Sequence, residues 1–242
     1  MSRKFHALVL LVAAMATTMA IMATAGAPAS ARLTPAQQAT ANAALLALWS
    51  DKVQAAKVTS AQVNAALGAG AYVDAADENG NTALMLAAHY SGADCVRLLV
   101  YKGANVNARS SIGWTPLMEA AETGDIAAVD LLALKGANVT ATTNYGKTML
   151  MAAAESGNAA CVAFFLACGA DVSAKNDHGY TALIDSAFSG GAECARLLLS
   201  RGAAIDASDR YGELALMTGV REWKCRLRKA TRLQGCGCKR QG

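Results

Sequence analysis

The sequence predicts an all-α fold, a solenoid of helix-turn-helix units with hairpin-like turn tips, because its residues repeat with a period of 33. Three series share this period, two of glycine and one of leucine. They are Gly80, Gly113, Gly146, Gly179 and Gly212; Gly70, Gly103, Gly136, Gly169 and Gly202; and Leu84, Leu117, Leu150, Leu183 and Leu216. Three coincident series leave little room for chance, so this repeat organises most of the chain.

Each repeated residue type has a local structural reason. The first glycine suits a tight turn, where a positive φ costs glycine least. A threonine two residues later suits the N-cap of a short first helix, and Pro116 suits the first helical position. An apolar second helix follows, and the second glycine suits the cap that ends it. The capping threonines are Thr82, Thr115, Thr148 and Thr181.

This unit resembles the ankyrin repeat, whose signature combines a Thr-Pro-Leu-His run, a pair of alanines and a closing Gly-Ala. The segments that match it best are Gly113–Leu117 and Lys102–Ala108. The resemblance implies an ankyrin-repeat solenoid with a concave face made by turn tips and first helices, a face that usually holds a partner protein in this family. It covers residues 77–208 as four full repeats: 77–109, 110–142, 143–175 and 176–208.

Residues 1–31 have the pattern of a secretory signal peptide. Basic residues near the start precede an apolar stretch over 7–25, and the small-residue site at 29–31 predicts cleavage before Arg32. An uncleaved membrane anchor is the alternative, because the apolar stretch approaches the length of a spanning helix, although its alanines and threonines insert weakly. We therefore expect a periplasmic or secreted protein of the bacterial exported type, with no transmembrane segment after cleavage.

The segments on either side of the four full repeats depart from the pattern. Residues 32–76 are expected to form N-terminal capping helices and a modified first repeat, with an apolar helix around 43–49. A capping box of Thr59 and Gln62 is expected to begin the helix after it. Residues 209–220 begin a degenerate fifth repeat.

The tail that follows, residues 221–242, is basic and contains cysteine. It carries eight Lys or Arg and one Glu, whereas residues 32–220 carry 12 Lys or Arg and 17 Asp or Glu. The net charge of +4 is therefore the sum of an acidic body and a basic tail, and it does not indicate nucleic-acid binding. A peripheral binder of anionic surfaces, acting through this tail, is the alternative function.

The recurring cysteines and methionines are expected to pack in the core. Equivalent residues of neighbouring repeats are about 8–10 Å apart, too far for a disulfide or for one shared ion. The methionines replace the histidine of the ankyrin signature, which leaves open how neighbouring turns are bonded. The cysteines are Cys95, Cys161 and Cys194, and the methionine series is Met85, Met118, Met151 and Met217, with Ile184 in the remaining repeat. Cys168, near a helix end, is expected to be exposed.

No pattern in the chain indicates catalysis. His89 and His178 lie three repeats apart, which is about 25–30 Å for stacked helices, so they cannot share a metal or a triad. The glycines are turn and cap residues and not a phosphate-binding loop. We expect no catalytic residue, no metal and no cofactor. The expected function is that of a non-enzymatic, monomeric scaffold whose partner is another protein and not a nucleic acid.

The expected partner-binding face consists of turn tips and the outer sides of first helices, positions that include Glu122, Lys147 and Glu155. Aromatic residues are unusually frequent at these positions, and tryptophan and tyrosine are common anchors of protein interfaces. Trp114, Tyr145 and Tyr180 are predicted to form a contiguous patch, although packing of Trp114 and Tyr180 on adjacent turns is the alternative. The candidate residues are Tyr90, Ile112, Trp114, Tyr145, His178, Tyr180, Phe188 and Tyr211.

Overall fold

The computed structural model describes residues 33–210, and they divide into two compact units between Ser111 and Ile112. The predicted signal peptide, Tyr211, the rest of the fifth repeat and the basic tail lie outside the described residues. Every regular element of the described part is a helix, and the only β-bridges there are isolated ones at turn tips. The prediction of an all-α fold is confirmed.

The described part of the first unit opens with three helices, α1 (Pro35–Ala47), α2 (Lys52–Ala55) and α3 (Ser60–Gly68). Helix α1 begins well before the apolar helix expected around 43–49, because Thr34 and Gln37 form a capping box that the sequence analysis did not use. The capping box of Thr59 and Gln62 is confirmed at the start of α3.

The first unit ends with one complete helix pair, α4 (Ala83–Tyr90) and α5 (Ala93–Tyr101). The indole of Trp49, which is buried, donates to the Ser91 hydroxyl at 2.6 Å, and that hydroxyl donates to the Ala55 carbonyl at 3.0 Å. The amide of Asn105 donates to the Asp74 carboxylate at 2.8 Å. These contacts tie the N-terminal helices to the first complete repeat.

The second unit contains three helix pairs in its described part. Their first helices are α6 (Pro116–Thr123), α8 (Met149–Glu155) and α10 (Ala182–Phe188), and their second helices are α7 (Ile126–Leu134), α9 (Ala159–Ala167) and α11 (Ala192–Ser200). Helix α8 packs between α6 and α10, and α9 packs between α7 and α11. First helices therefore form one row and second helices another.

The capping and core predictions are confirmed within each unit. Every first helix of a full repeat is capped by its threonine, whose hydroxyl accepts from the amide three residues later. All glycines of the two series within the described residues have positive φ. The residues that replace the signature histidine are buried, as an apolar ladder requires: Met85, Met118, Met151 and Ile184.

The turn tips remain bonded to one another without the signature histidine. In the first unit the Ser111 amide donates to the Asn79 carbonyl at 2.8 Å. In the second unit the amides of Asn144, Asp177 and Arg210 donate to the carbonyls of Ile112, Tyr145 and His178, each at 3.0 Å. Backbone hydrogen bonds thus fix the spacing between tips, whatever side chain occupies the histidine position.

The recurring cysteines are buried thiols, as expected, and Cys168 is exposed. Burial is the main cause that raises the pKa of the Cys161 and Cys194 thiols to about 11, and the pKa of the Cys95 thiol is also raised. Because the thiolate is the reactive form, these three residues are inert packing groups at neutral pH. Among residues 33–210, no helix is long and apolar enough to span a membrane.

Candidate functional site

The predicted face residues of the second unit lie at the tips and along the first helices. At the tips, Ile112 is 44% exposed, Tyr145 is 56% exposed and His178 is exposed. At the base of the tips, Trp114 and Tyr180 are half-buried. These residues therefore present aromatic and apolar surface at each of the three full repeats that the structure describes in this unit.

At the end of α10, Phe188 is 55% exposed. The remaining candidate within the described residues, Tyr90, belongs to the first unit. It is half-buried at the end of α4, where its ring meets the His89 ring at 4.4 Å between centroids.

Three aromatic rings of the second unit are in contact. The Tyr180 ring lies 5.7 Å from the Phe188 ring, edge to face, and 6.1 Å from the His178 ring. The Arg210 guanidinium lies 2.6 Å from Nδ1 of His178. The rings at 178, 180 and 188 thus form a preassembled cluster at the fourth repeat.

Lys147 occupies the repeat position between Trp114 and Tyr180. Its ammonium lies 4.9 Å from the centre of the Trp114 ring, within the range of a cation–π contact. The same ammonium lies 3.7 Å from Glu122 and forms a close ion pair with Glu155. This repeat position is therefore aromatic, cationic and aromatic in three successive repeats, and the contiguous patch of Trp114, Tyr145 and Tyr180 stays a prediction.

The Lys147 group is only partly exposed to water. The Lys147 side chain is 20% exposed, and the side chains of Glu122 and Glu155 are 27% and 46% exposed. In such an environment an ion pair is screened less than at an open surface. Lys147 therefore holds the indole of Trp114 and two carboxylates in fixed relative positions across two successive repeats.

Asp185, in the middle of α10, is a further charged residue of this region. It is 8% exposed, and its Oδ2 atom has no hydrogen-bond partner among the described residues. Desolvation by burial raises the pKa of this carboxyl to about 7, opposed by the positive charge of Lys147 and reinforced by the negative charge of Glu155. A buried polar atom without a partner is uncommon in native proteins and calls for an explanation.

Sequence reasoning placed Glu122, Lys147 and Glu155 on this face but missed Asp185. The repeat register gives only a weak signal, because this position holds the half-buried Leu86 and Glu119 as well as the buried Ala152 in the other repeats. The inner face of the second unit consists of Trp114, Glu122, Tyr145, Lys147, Glu155, Tyr180, Asp185 and Phe188.

The inner face offers both charged and aromatic groups. Its contacts are ion pairs, a cation–π contact and ring-edge contacts. The described part of the second unit is acidic, with 11 Asp or Glu against six Lys or Arg over residues 112–210. Its field therefore favours the approach of basic groups.

Comparison with known families agrees with this architecture. A family model described as ankyrin repeats (3 copies) matches residues 53–143 and 133–209, which is more than half of the chain. No match to an individual curated protein was found. Ankyrin repeats generally serve as protein-interaction scaffolds and are typically non-enzymatic. The chain belongs to the ankyrin-repeat family.

Proposed function

We propose that this protein is a non-enzymatic scaffold that acts after export and holds a protein partner on the inner face of its second unit. The observation that carries the proposal is the exposure of two large side chains at repeat positions typical of partner contact, Tyr145 at a tip and Phe188 at the end of α10. Large aromatic side chains are costly to leave in water and dominate the binding energy of many interfaces.

The rigidity of the face supports the same proposal. The carbonyl of Tyr145 is held by the amide of Asp177, and the ring of Phe188 rests against Tyr180. Trp114 is held by the ammonium of Lys147. Side chains that are already fixed lose less conformational entropy when a partner binds, so more of the contact energy appears as affinity.

The binding face is tested by affinity capture, using full-length protein immobilised and exposed to soluble protein from the compartment in which it resides. The variant Tyr145→Ala/Phe188→Ala is expected to lose about 2 kcal/mol or more of binding free energy for each partner that the wild-type protein captures, because both rings are anchors. Quantitative capture at graded bait concentration measures this loss.

The matched control removes exposed aromatic rings elsewhere. Tyr72 and Tyr101 are 62% and 84% exposed and belong to the first unit, outside its first helices. The variant Tyr72→Ala/Tyr101→Ala is expected to capture the same partners as the wild-type protein. Equal losses in both double variants, or none in either, would remove the inner face as the binding site.

Action after export is tested separately by intact-mass measurement of the protein from its native host. The basic start, the apolar stretch over 7–25 and the small-residue site at 29–31 predict a mature N-terminus at Arg32. A soluble cytoplasmic protein that retains Met1 would contradict export, and it would leave the proposed binding face unaffected.

A further inference from the structure

We infer that the partner presents a lysine or arginine next to an apolar side chain, and that Asp185 and Glu155 of the inner face receive that cation. This inference rests on the proposed function and specifies the chemistry of the partner. It arises from the charges of the inner face, which has three carboxylates but one ammonium: Glu122, Glu155, Asp185 and Lys147.

The single ammonium is already engaged. Lys147 lies between Glu122 and Glu155 and against the Trp114 ring, and it makes no ion pair with Asp185 among the described residues. With all three carboxyls ionised the group carries a net negative charge in a poorly hydrated place. A second cation would balance this negative charge. A charge-assisted hydrogen bond stabilises a carboxylate more than a distant charge does.

Asp185 supplies the second observation, because its buried Oδ2 lacks a partner. The helices packed against α10 provide no partner for this Oδ2 atom among the described residues. Helix α8 contributes Glu155, of like charge, and α11 contributes the buried Cys194 and an exposed ion pair of Glu193 with Arg196. Since Oδ2 is closed to water in the free protein, a cation reaches it through a side-chain rotation on binding, a change common at interfaces.

The apolar part of the partner is specified by the rings beside Asp185. Phe188 follows Asp185 by three residues on α10, so the two side chains lie on the same helix surface. The Phe188 ring is exposed and packs against Tyr180. A cation that pairs with Asp185 therefore approaches an aromatic ring. The Lys147 ammonium makes a contact of this kind with the Trp114 ring elsewhere on the inner face.

Binding of a cation here is linked to release of a proton. The pKa of Asp185 is about 7 in the free protein, and the cation pairs with the ionised carboxylate. Affinity is therefore expected to rise by up to about tenfold per pH unit below about pH 6, to rise less steeply through pH 7, and to level off above about pH 8. A contact that does not involve a titrating group would show no such rise.

The experiment selects random linear peptides, displayed on phage, on the immobilised full-length protein. We expect the selected peptides to be enriched in lysine or arginine beside an apolar residue. In synthetic copies, citrulline in place of arginine or norleucine in place of lysine is expected to weaken binding about tenfold or more. Asp185→Asn is expected to cause a loss of similar size and to abolish the pH dependence. Asp130→Asn, on the exposed surface of α7, is the matched control and is expected to change nothing.

Other outcomes separate this inference from the proposed function. If peptides require Tyr145 and Phe188 but contain no cation, or bind Asp185→Asn equally well, the inference is wrong and the proposed face stands. If the peptides bind Tyr145→Ala/Phe188→Ala as tightly as the wild-type protein, the proposed binding face is wrong as well. If peptides bind only after residues 221–242 are deleted, the basic tail of the chain itself is the occupant, which overturns an external partner.

Discussion

The Asp185→Asn variant is expected to be more stable than the wild-type protein at pH 8, by about 2 to 4 kcal/mol. The wild-type carboxyl has a pKa of about 7 in the folded protein against an ordinary value of 3.8, and each pH unit of difference corresponds to about 1.4 kcal/mol. The upper figure is the whole cost of ionising this buried group. The amide of asparagine recovers less than all of it, because burying a neutral polar group also costs free energy unless its hydrogen bonds are fully satisfied.

The sign of the pH dependence follows from the raised pKa of the Asp185 carboxyl. Between about pH 4 and about pH 7 the unfolded chain has released the proton that the folded protein still holds. The contribution of Asp185 to the free energy of unfolding therefore falls as the pH rises through this window, and it stays constant above the window. In Asp185→Asn this contribution is absent, so the two stability curves diverge from pH 4 upward.

Urea unfolding at a series of pH values measures this difference, with Asp130→Asn as the control because Asp130 is exposed on α7. The control is expected to follow the wild-type curve. Parallel curves for Asp185→Asn and the wild-type protein would show that the carboxyl is solvated or paired in solution, and would also remove the main observation behind the inferred cation site.

Much of this fold was predictable because its determinants are local. A threonine cap, a proline at the first helical position and a glycine with positive φ each act within one turn of chain, and spacing in the sequence is enough to identify them. The burial of Met85, Met118, Met151 and Ile184 was predictable for a related reason, because equivalent positions of a regular stack have equivalent burial. The early start of α1 was missed although its capping box at Thr34 is equally local.

The candidate site was predictable only as a set of positions. Trp114, Lys147 and Glu155 were all placed on the expected face, yet the sequence does not indicate that the ammonium of Lys147 stacks on the indole. Such a contact depends on how far each repeat is rotated against the next, which side-chain packing decides and periodicity does not. The missing partner of Asp185 is likewise a property of neighbouring helices and not of α10 alone.

The second large effect is expected for Lys147→Met, which should destabilise the protein by about 2 to 3 kcal/mol. Removing one partner of a buried ion pair costs about 3 to 5 kcal/mol, because the other charge is left without compensation. We expect a smaller cost here, because the side chains of Glu122 and Glu155 are 27% and 46% exposed and water screens their charges. Methionine retains the apolar length of lysine, so the loss reports the charge and not the packing.

Lys135→Met is the matched control, since Lys135 is exposed just after α7, and urea unfolding at neutral pH measures both variants. A loss no larger than that of the control would show that the Lys147 group contributes nothing to stability. Lys147 also opposes the rise of the Asp185 pKa, so its removal should move the pH dependence of stability to higher pH. In Lys147→Met/Asp185→Asn the loss should be smaller than the separate effects predict, because one of the three carboxylates left without a cation is already neutral.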